Sequence, residues 1–224
     1  MSSEEPGPST ALLAVDTGGT FTDLVLLRDG QLQTLKVPST PADPSQAVLD
    51  GILKIFGIDK TPNSPRYPFT LLHGSTVATN TLLERRGAKV LLVTNRGFED
   101  VLEIGRQNRP QLYALVGQRL PPLVMRDDRL GISGRIGPRG EEIEPLDKEE
   151  LTHLTNHIQE HGAEAVAISL LHSYANDTHE QAIAEAVRTI DVPLSVSADL
   201  VSEFREYERT STTVVNAYVA PIMS

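Results

Sequence analysis

Residues 12–37 read LLAVDTGGTFTDLVLLRDGQLQTLKV. Two apolar runs, 12–15 and 24–27, flank the loop Asp16-Thr17-Gly18-Gly19-Thr20-Phe21-Thr22-Asp23. Asp29-Gly30 then separates the second run from residues 32–37. That dipeptide is a strong hairpin signal, because both residues tolerate the backbone of a tight turn. The spacing predicts strand, loop, strand, tight turn, strand.

The loop carries the chemistry. Gly18 and Gly19 let a ligand approach the backbone and admit positive φ. Their amides, with the hydroxyls of Thr17, Thr20 and Thr22, make a small anion-binding concavity. A carboxylate at a strand end, Asp16, can hold a hydrated Mg²⁺. Donors for phosphate oxygens and a carboxylate for the metal are what phosphoryl transfer needs. The chain has neither GxxxxGK[ST] nor GxGxxG, so it is not a P-loop or dinucleotide-fingerprint protein. The plain alternative is an ordinary Gly-rich hairpin.

Outward from this loop the pattern alternates. A Pro-rich stretch, 38–44, precedes a helix over 45–56, with Val48, Leu49, Ile52 and Ile55 at helical spacing and Gly57 as its stop. Residues 69–72 read as a strand, 76–85 as a helix, 89–93 as a strand and 98–104 as a short helix. Residues 105–144 are rich in Arg, Gly and Pro and predict loops with a small hairpin. A helix over 147–161 follows, opened by a capping-box spacing of Asp147 and Glu150 and closed by Gly162. Strands at 165–171 and 194–197, a helix at 177–188 and a last helix from 204 to 218 complete the order. A meander followed by strand–helix alternation indicates an α/β fold with a mixed sheet. The order fits the ribonuclease-H-like subdomain of actin-like ATPases, with helices flanking the sheet.

Composition narrows the function. Lys and Arg number 20 against 30 Asp and Glu, a net charge of −10. Such a chain repels polyanions, and its 4% aromatic content offers little stacking surface, so nucleic acid is not its partner. No cysteine is present, which removes thiolate nucleophiles, disulfides and Cys-based zinc sites. The apolar runs are too short to cross a bilayer, and no membrane is expected. MSSEEPGPST at the start lacks the basic and apolar regions of a secretory signal, and residues 1–10 are expected to be a disordered tail of a cytoplasmic protein.

Other constellations have bland readings beside sharper ones. His73-Gly74-Ser75-Thr76 joins a strand to a helix, where Ser75 or Thr76 is a cap or the helix amides hold an anion. A loop of Gly105-Arg106-Gln107-Asn108-Arg109-Pro110 offers forked cations and amides for a carboxylate or ring amide, or is a surface loop tied by ion pairs. Glu203, Arg205, Glu206, Glu208 and Arg209 open the last helix, and Arg205–Glu208 at i,i+3 reads as an exposed ion pair, with a role in a site as the alternative. His153, His157 and His161 recur every four residues, mostly off the Leu151/Leu154/Ile158 face, and read as a solvated row rather than a metal site.

AVDTGGTFTDLVLL closely resembles the opening of the hydantoinase A/5-oxoprolinase family. HGSTVATNTLLERRGAKVLLVTNRGFEDVLEIGRQNRPQLYAL (73–115), AISLLHSY (167–174) and EFREYERTSTTVVNAYVAP (203–221) resemble the same family, in its order. One departure is Gly134, where the family usually carries glutamate before Arg135. The resemblance implies an actin-like ATPase fold and ATP with Mg²⁺ or Mn²⁺ driving hydrolysis of a cyclic amide. It assigns catalysis to Asp16, Thr20 and Asp23, with the metal on Asp16. Nucleotide contacts fall on Thr17, Gly18, Gly19, Thr20 and Thr22, and substrate contacts on His73, Ser75, Thr76, Arg106, Asn108 and Arg109. It further implies that residues 11–224 are the N-terminal domain of a longer chain, loop-rich at 105–145. The C-terminal remainder would supply the other cleft wall, and a hydantoinase B-type subunit or domain would be a partner. Hydantoin, N-methylhydantoin and 5-oxoproline remain open as substrates, with GRQNRP closer to the hydantoinase side. A kinase, a carboxylase subunit and a non-catalytic actin-like protein are the rivals.

Overall fold

The computed structural model describes residues 11–40, 43–58, 68–108, 113 and 120–223. The expected tail, 1–10, lies outside the described residues. The chain divides into two compact units, Met1–Leu83 and Glu84–Ser224.

The first unit is built on strands β1 (Ala11–Thr17), β2 (Phe21–Arg28) and β3 (Gln31–Pro38). After helix α1 (Pro44–Phe56), β4 (Phe69–Ser75) joins the sheet and leads into α2 (Val77–Glu84). The sheet order is β3-β2-β1-β4, antiparallel throughout except β1 with β4, which run parallel. Asp29 (φ 50) and Gly30 (φ 75) both take positive φ, as the Asp-Gly signal requires. One sheet face buries Leu13, Val15, Leu24 and Leu26 under α1. Each such side chain contributes roughly 1.5–3 kcal/mol. α1 approaches so closely that a Cβ on Gly51 would lie 2.6 Å from Leu24. Asp43 caps the helix by accepting from Ser45 N at 3.1 Å, and Gly57 closes it in the left-handed conformation.

In the second unit β5 (Val90–Asn95) precedes the short helix α3 (Val101–Ile104). Then come β6 (Arg129–Ile132), the hairpin β7 (Arg135–Ile136) with β8 (Glu142–Glu144), and α4 (Lys148–His161). β9 (Ala165–Ile168), α5 (Thr178–Val187), β10 (Leu194–Val196), α6 (Ser197–Leu200) and α7 (Glu206–Met223) follow. β10-β9-β5-β6 form a wholly parallel sheet. Every residue of β5 and β9 is buried, as parallel strands covered on both faces must be. Leu154 and Ile158 of α4 and Ile183 and Val187 of α5 close the core over them.

Three expectations change. Residues 129–132, read as loop, are the edge strand of the parallel sheet. The segment is short, holds a glycine and opens on Arg129, whose buried side chain is satisfied by Val124 O, Asp100 and Glu103. Asp147 does cap α4, accepting from Glu149 N, but Glu150 does not reciprocate. Its carboxylate accepts from Ser133 N at 2.6 Å and pairs with Arg96, so the box is opened by a tertiary bond. The strand expected through 171 stops at Ile168. There Glu180 takes the Leu170 amide, Asn95 takes that of Leu171, and His172 turns the chain at φ 58. Among the described residues no helix is long and apolar enough to cross a membrane.

Candidate functional site

In the first unit the Gly-rich loop is drawn tight by its own backbone. Gly18 N donates to Phe21 O at 3.0 Å, and Ser39 Oγ donates to Gly18 O at 2.7 Å. Neither Gly18 nor Gly19 takes a positive φ; the glycines serve close approach. A Cβ on Gly18 would lie 2.9 Å from Phe21 O, and one on Gly19 3.2 Å from Asn80 Nδ2. Thr22 is fully buried and hydrogen-bonded to Ser39 Oγ at 2.9 Å. Thr17 is buried too, its hydroxyl 3.0 Å from His73 Nε2. These two threonines hold the loop from inside, whereas Gly19 and Thr20 are exposed at its tip.

Strand register sets the carboxylates. Asp16 pairs with Asp23 across β1 and β2 and with Gly74 across β1 and β4. All three lie on the sheet face opposite α1, because residues two apart share a face. Asp23 is tied to Lys36 at 3.1 Å. Asp16, Asp23 and His73, with Ala14, Val25 and Leu72, line an open depression of about 410 Å³. Two carboxylates side by side suit a hydrated divalent ion, which needs few protein ligands.

The segment 73–76 stays with this loop. Thr76 N donates to Thr17 O at 3.1 Å, and Ser75 Oγ accepts from Val77 N at 3.2 Å, capping α2. His73, Ser75 and Thr76 thus surround Thr17, while Arg106 and Asn108 belong to the second unit.

There the chain after α3 turns at Gly105 (φ 54, ψ −141) and again at Gln107 (φ 59). Arg106 between them reaches α7, its Nε donating to Glu208 Oε1 at 2.7 Å. The Arg106 hydrogen bond holds the Glu208 carboxyl below its ordinary range. Glu208 hydrogen-bonds Arg106 and Glu206 pairs with Arg209, while the expected Arg205–Glu208 attraction is a weaker contribution beside the Arg106 bond. Arg106 and Asn108 line a cleft of about 500 Å³ with Tyr207, Glu208, Ser211 and Thr212. Sequence reasoning missed Tyr207, Ser211 and Thr212. Ser211 and Thr212 stand i+4 from Tyr207 and Glu208, and that spacing was the available signal. Arg109 lies outside the described residues.

Of the histidine row on α4, His161 bonds Asp128 at 2.6 Å and stacks on His157, with ring centres 5.7 Å apart. Among the described residues no three His, Asp or Glu side chains gather as a metal cluster.

Residues 12–191 match the hydantoinase/oxoprolinase N-terminal region family. The chain is 39% identical to the caprolactamase alpha subunit of Pseudomonas jessenii, over 94% of itself and 31% of that protein. It is 36% identical to the acetophenone carboxylase gamma subunit of Aromatoleum aromaticum, over 92% of itself and 30% of that protein. A nucleotide-free structure of acetone carboxylase superposes with a TM-score of 0.83 at 27% identity, over 95% of this chain and 32% of that one. The chain thus spans about a third of the length of these relatives. Its fold is the α/β, ribonuclease-H-like fold of actin-like ATPases, with a mixed sheet and flanking helices. Over residues 12–191, from β1 through α5, this chain belongs to the hydantoinase/oxoprolinase N-terminal region family.

Proposed function

We propose that this chain is the nucleotide-handling part of an enzyme that uses ATP to open a cyclic amide such as hydantoin, N-methylhydantoin or 5-oxoproline. The observation that carries the reading is the Asp16–Asp23 pair beside the Gly18-Gly19-Thr20 loop. Amide resonance makes a lactam carbonyl a poor electrophile. Transfer of the γ-phosphoryl group to the carbonyl oxygen gives a carbon open to water, and hydrolysis then opens the ring. In this reading Gly19 and Thr20 face the phosphates, and Thr17, Gly18 and Thr22 hold the loop's shape. Asp16 holds Mg²⁺ or Mn²⁺, with Asp23 beside it. The ion would neutralise charge on the phosphates during transfer. Arg106, Asn108 and Arg109 recognise the amide, and His73, Ser75 and Thr76 support the loop. The C-terminal remainder of a longer chain and a hydantoinase B-type subunit or domain are the partners, in the cytoplasm.

A second reading, a carboxylase subunit, is supported by the likeness to acetophenone and acetone carboxylases. Phosphate release by the full-length enzyme separates them. Release that depends on a cyclic amide and needs no bicarbonate supports the hydrolase. Release that needs a ketone and bicarbonate supports the carboxylase, and a stable phosphorylated product would indicate a kinase.

A further inference from the structure

We propose that the Arg106–Glu208 pair reads the amide edge of the ring, with Glu208 accepting the ring N–H and Arg106 donating to the ring carbonyl. The inference rests on the cyclic-amide reading and narrows it.

The pair uses one guanidinium N–H and one carboxylate oxygen, at 2.7 Å. A guanidinium has five N–H donors and a carboxylate two oxygens, so donors and an acceptor remain side by side at the cleft. Both residues line that cleft, and Glu208 is about one-third exposed there, its side chain 32% accessible. Tyr207, one residue back on α7, forms a wall against the loop: a Cβ on Gly105 would sit 3.6 Å from its ring. Ser211 is turned to the helix, its hydroxyl donating to Glu208 O at 3.0 Å, which leaves the Glu208 carboxylate as the charged acceptor of this wall.

An amide inside a small ring is cis. Its C=O and N–H therefore point to one side and meet an adjacent donor and acceptor together. An open-chain secondary amide is trans, with the two groups on opposite sides, and engages only one of them. An N-alkylated ring amide leaves Glu208 facing carbon, so an acceptor that the bound ring shields from water goes unmet. The pair thus selects unsubstituted ring amides. N-methylhydantoin still qualifies at its other, unmethylated ring nitrogen.

The test uses the full-length enzyme. Phosphate release is followed with hydantoin, 5-oxoproline and unsubstituted lactams of graded ring size, each beside the form methylated at the cleaved amide. The preferred ring amide should lose about tenfold or more in kcat/KM on methylation. Glu208→Met should raise its KM about tenfold, leave the ATP KM unchanged and shrink the gap between N–H and N-methyl forms. Glu208→Gln, which keeps a neutral acceptor, should recover part of the loss. Equal rates with N–H and N-methyl amides, together with an unchanged KM in Glu208→Met, would overturn the inference while leaving amide-driven phosphate release standing. If no ring amide drives phosphate release at all, the functional reading falls and this inference falls with it.

Discussion

Asp16 and Asp23 are direct partners across adjacent antiparallel strands, two carboxylates on one face of the sheet. Like charges so placed oppose folding by roughly 0.2–1 kcal/mol. Lys36, 3.1 Å from Asp23, offsets part of this from an exposed position. Nothing in the packing of β1 or β2 needs either carboxylate, since the core lies on the other face. A divalent cation turns the repulsion into attraction, which is the physical case for a metal at this end of the sheet.

Asp16→Asn keeps size and removes one of the paired charges. In the full-length enzyme, Mg²⁺-dependent ATP hydrolysis should fall by at least about 10²-fold, the cost of one well-placed electrostatic contact. The melting temperature without divalent ions should not fall, because repulsion is relieved. A Mg²⁺ titration of steady-state hydrolysis, with thermal melts in chelator, measures both. Parental kcat and parental Mg²⁺ dependence would reduce Asp16 to a turn residue.

Gly18→Ala tests the loop's closeness. The added methyl meets Phe21 O at 2.9 Å, a backbone atom that cannot step aside without opening the Gly18–Phe21 hydrogen bond. ATP KM should rise about tenfold in the full-length enzyme. Gly19→Ala meets only the end of the Asn80 side chain at 3.2 Å and should be milder. Equal effects of the two changes would show that the loop senses side-chain bulk rather than its internal bond.

Much of this was legible beforehand. Asp29-Gly30 announced the hairpin, and the apolar runs within 89–93 and 165–171 announced β5 and β9, although β5 runs on to Asn95 and β9 stops at Ile168. β6 was hidden, because the charge of Arg129 at its head is met by Asp100 and Glu103, which are distant in sequence. For the loop, composition gives an expectation of anion binding. It could not tell that Thr17 and Thr22 point inward to His73 and Ser39 while Thr20 stays exposed, since facing is set by strand register. Gly134, the departure from the family pattern, has a local cause: φ is +90, and a Cβ would crowd His179 at 3.0 Å.

Arg209 and Glu206 test a buried charge. The Arg209 side chain is fully buried; it donates to Leu170 O and to Glu206, and its Nε and Nη1 have no partner in the described structure. Glu206→Ala leaves that cation without its counter-charge and should cost about 2 kcal/mol or more. Arg209→Met removes the charge together with its desolvation cost and should be less damaging. Urea denaturation of both variants gives the order. A larger loss in Arg209→Met would mean that the bond to Leu170 O outweighs the burial of the guanidinium.

Glu180 makes stability depend on pH. Its side chain is fully buried at the start of α5. Burial pushes its carboxyl above the ordinary 4.5, and hydrogen bonds from Ser197 and the amides of Leu170 and Ala198 pull the other way without winning. A raised value means that the folded protein binds this proton more tightly than the unfolded chain. Its contribution is therefore full below 4.5 and is lost as pH rises through the raised value. Glu180→Gln cannot titrate, and its amide N–H₂ would confront one of the backbone donors. That variant should be less stable at low pH by about 1–3 kcal/mol, the cost of an unmet buried group. Because the parent alone loses stability as pH rises, the gap between the two should narrow toward neutrality. Urea denaturation of both proteins from the ordinary carboxylate range up to neutral pH measures that gap. Parallel curves would show that the hydrogen bonds from Ser197, Leu170 and Ala198 hold the carboxylate ionised throughout.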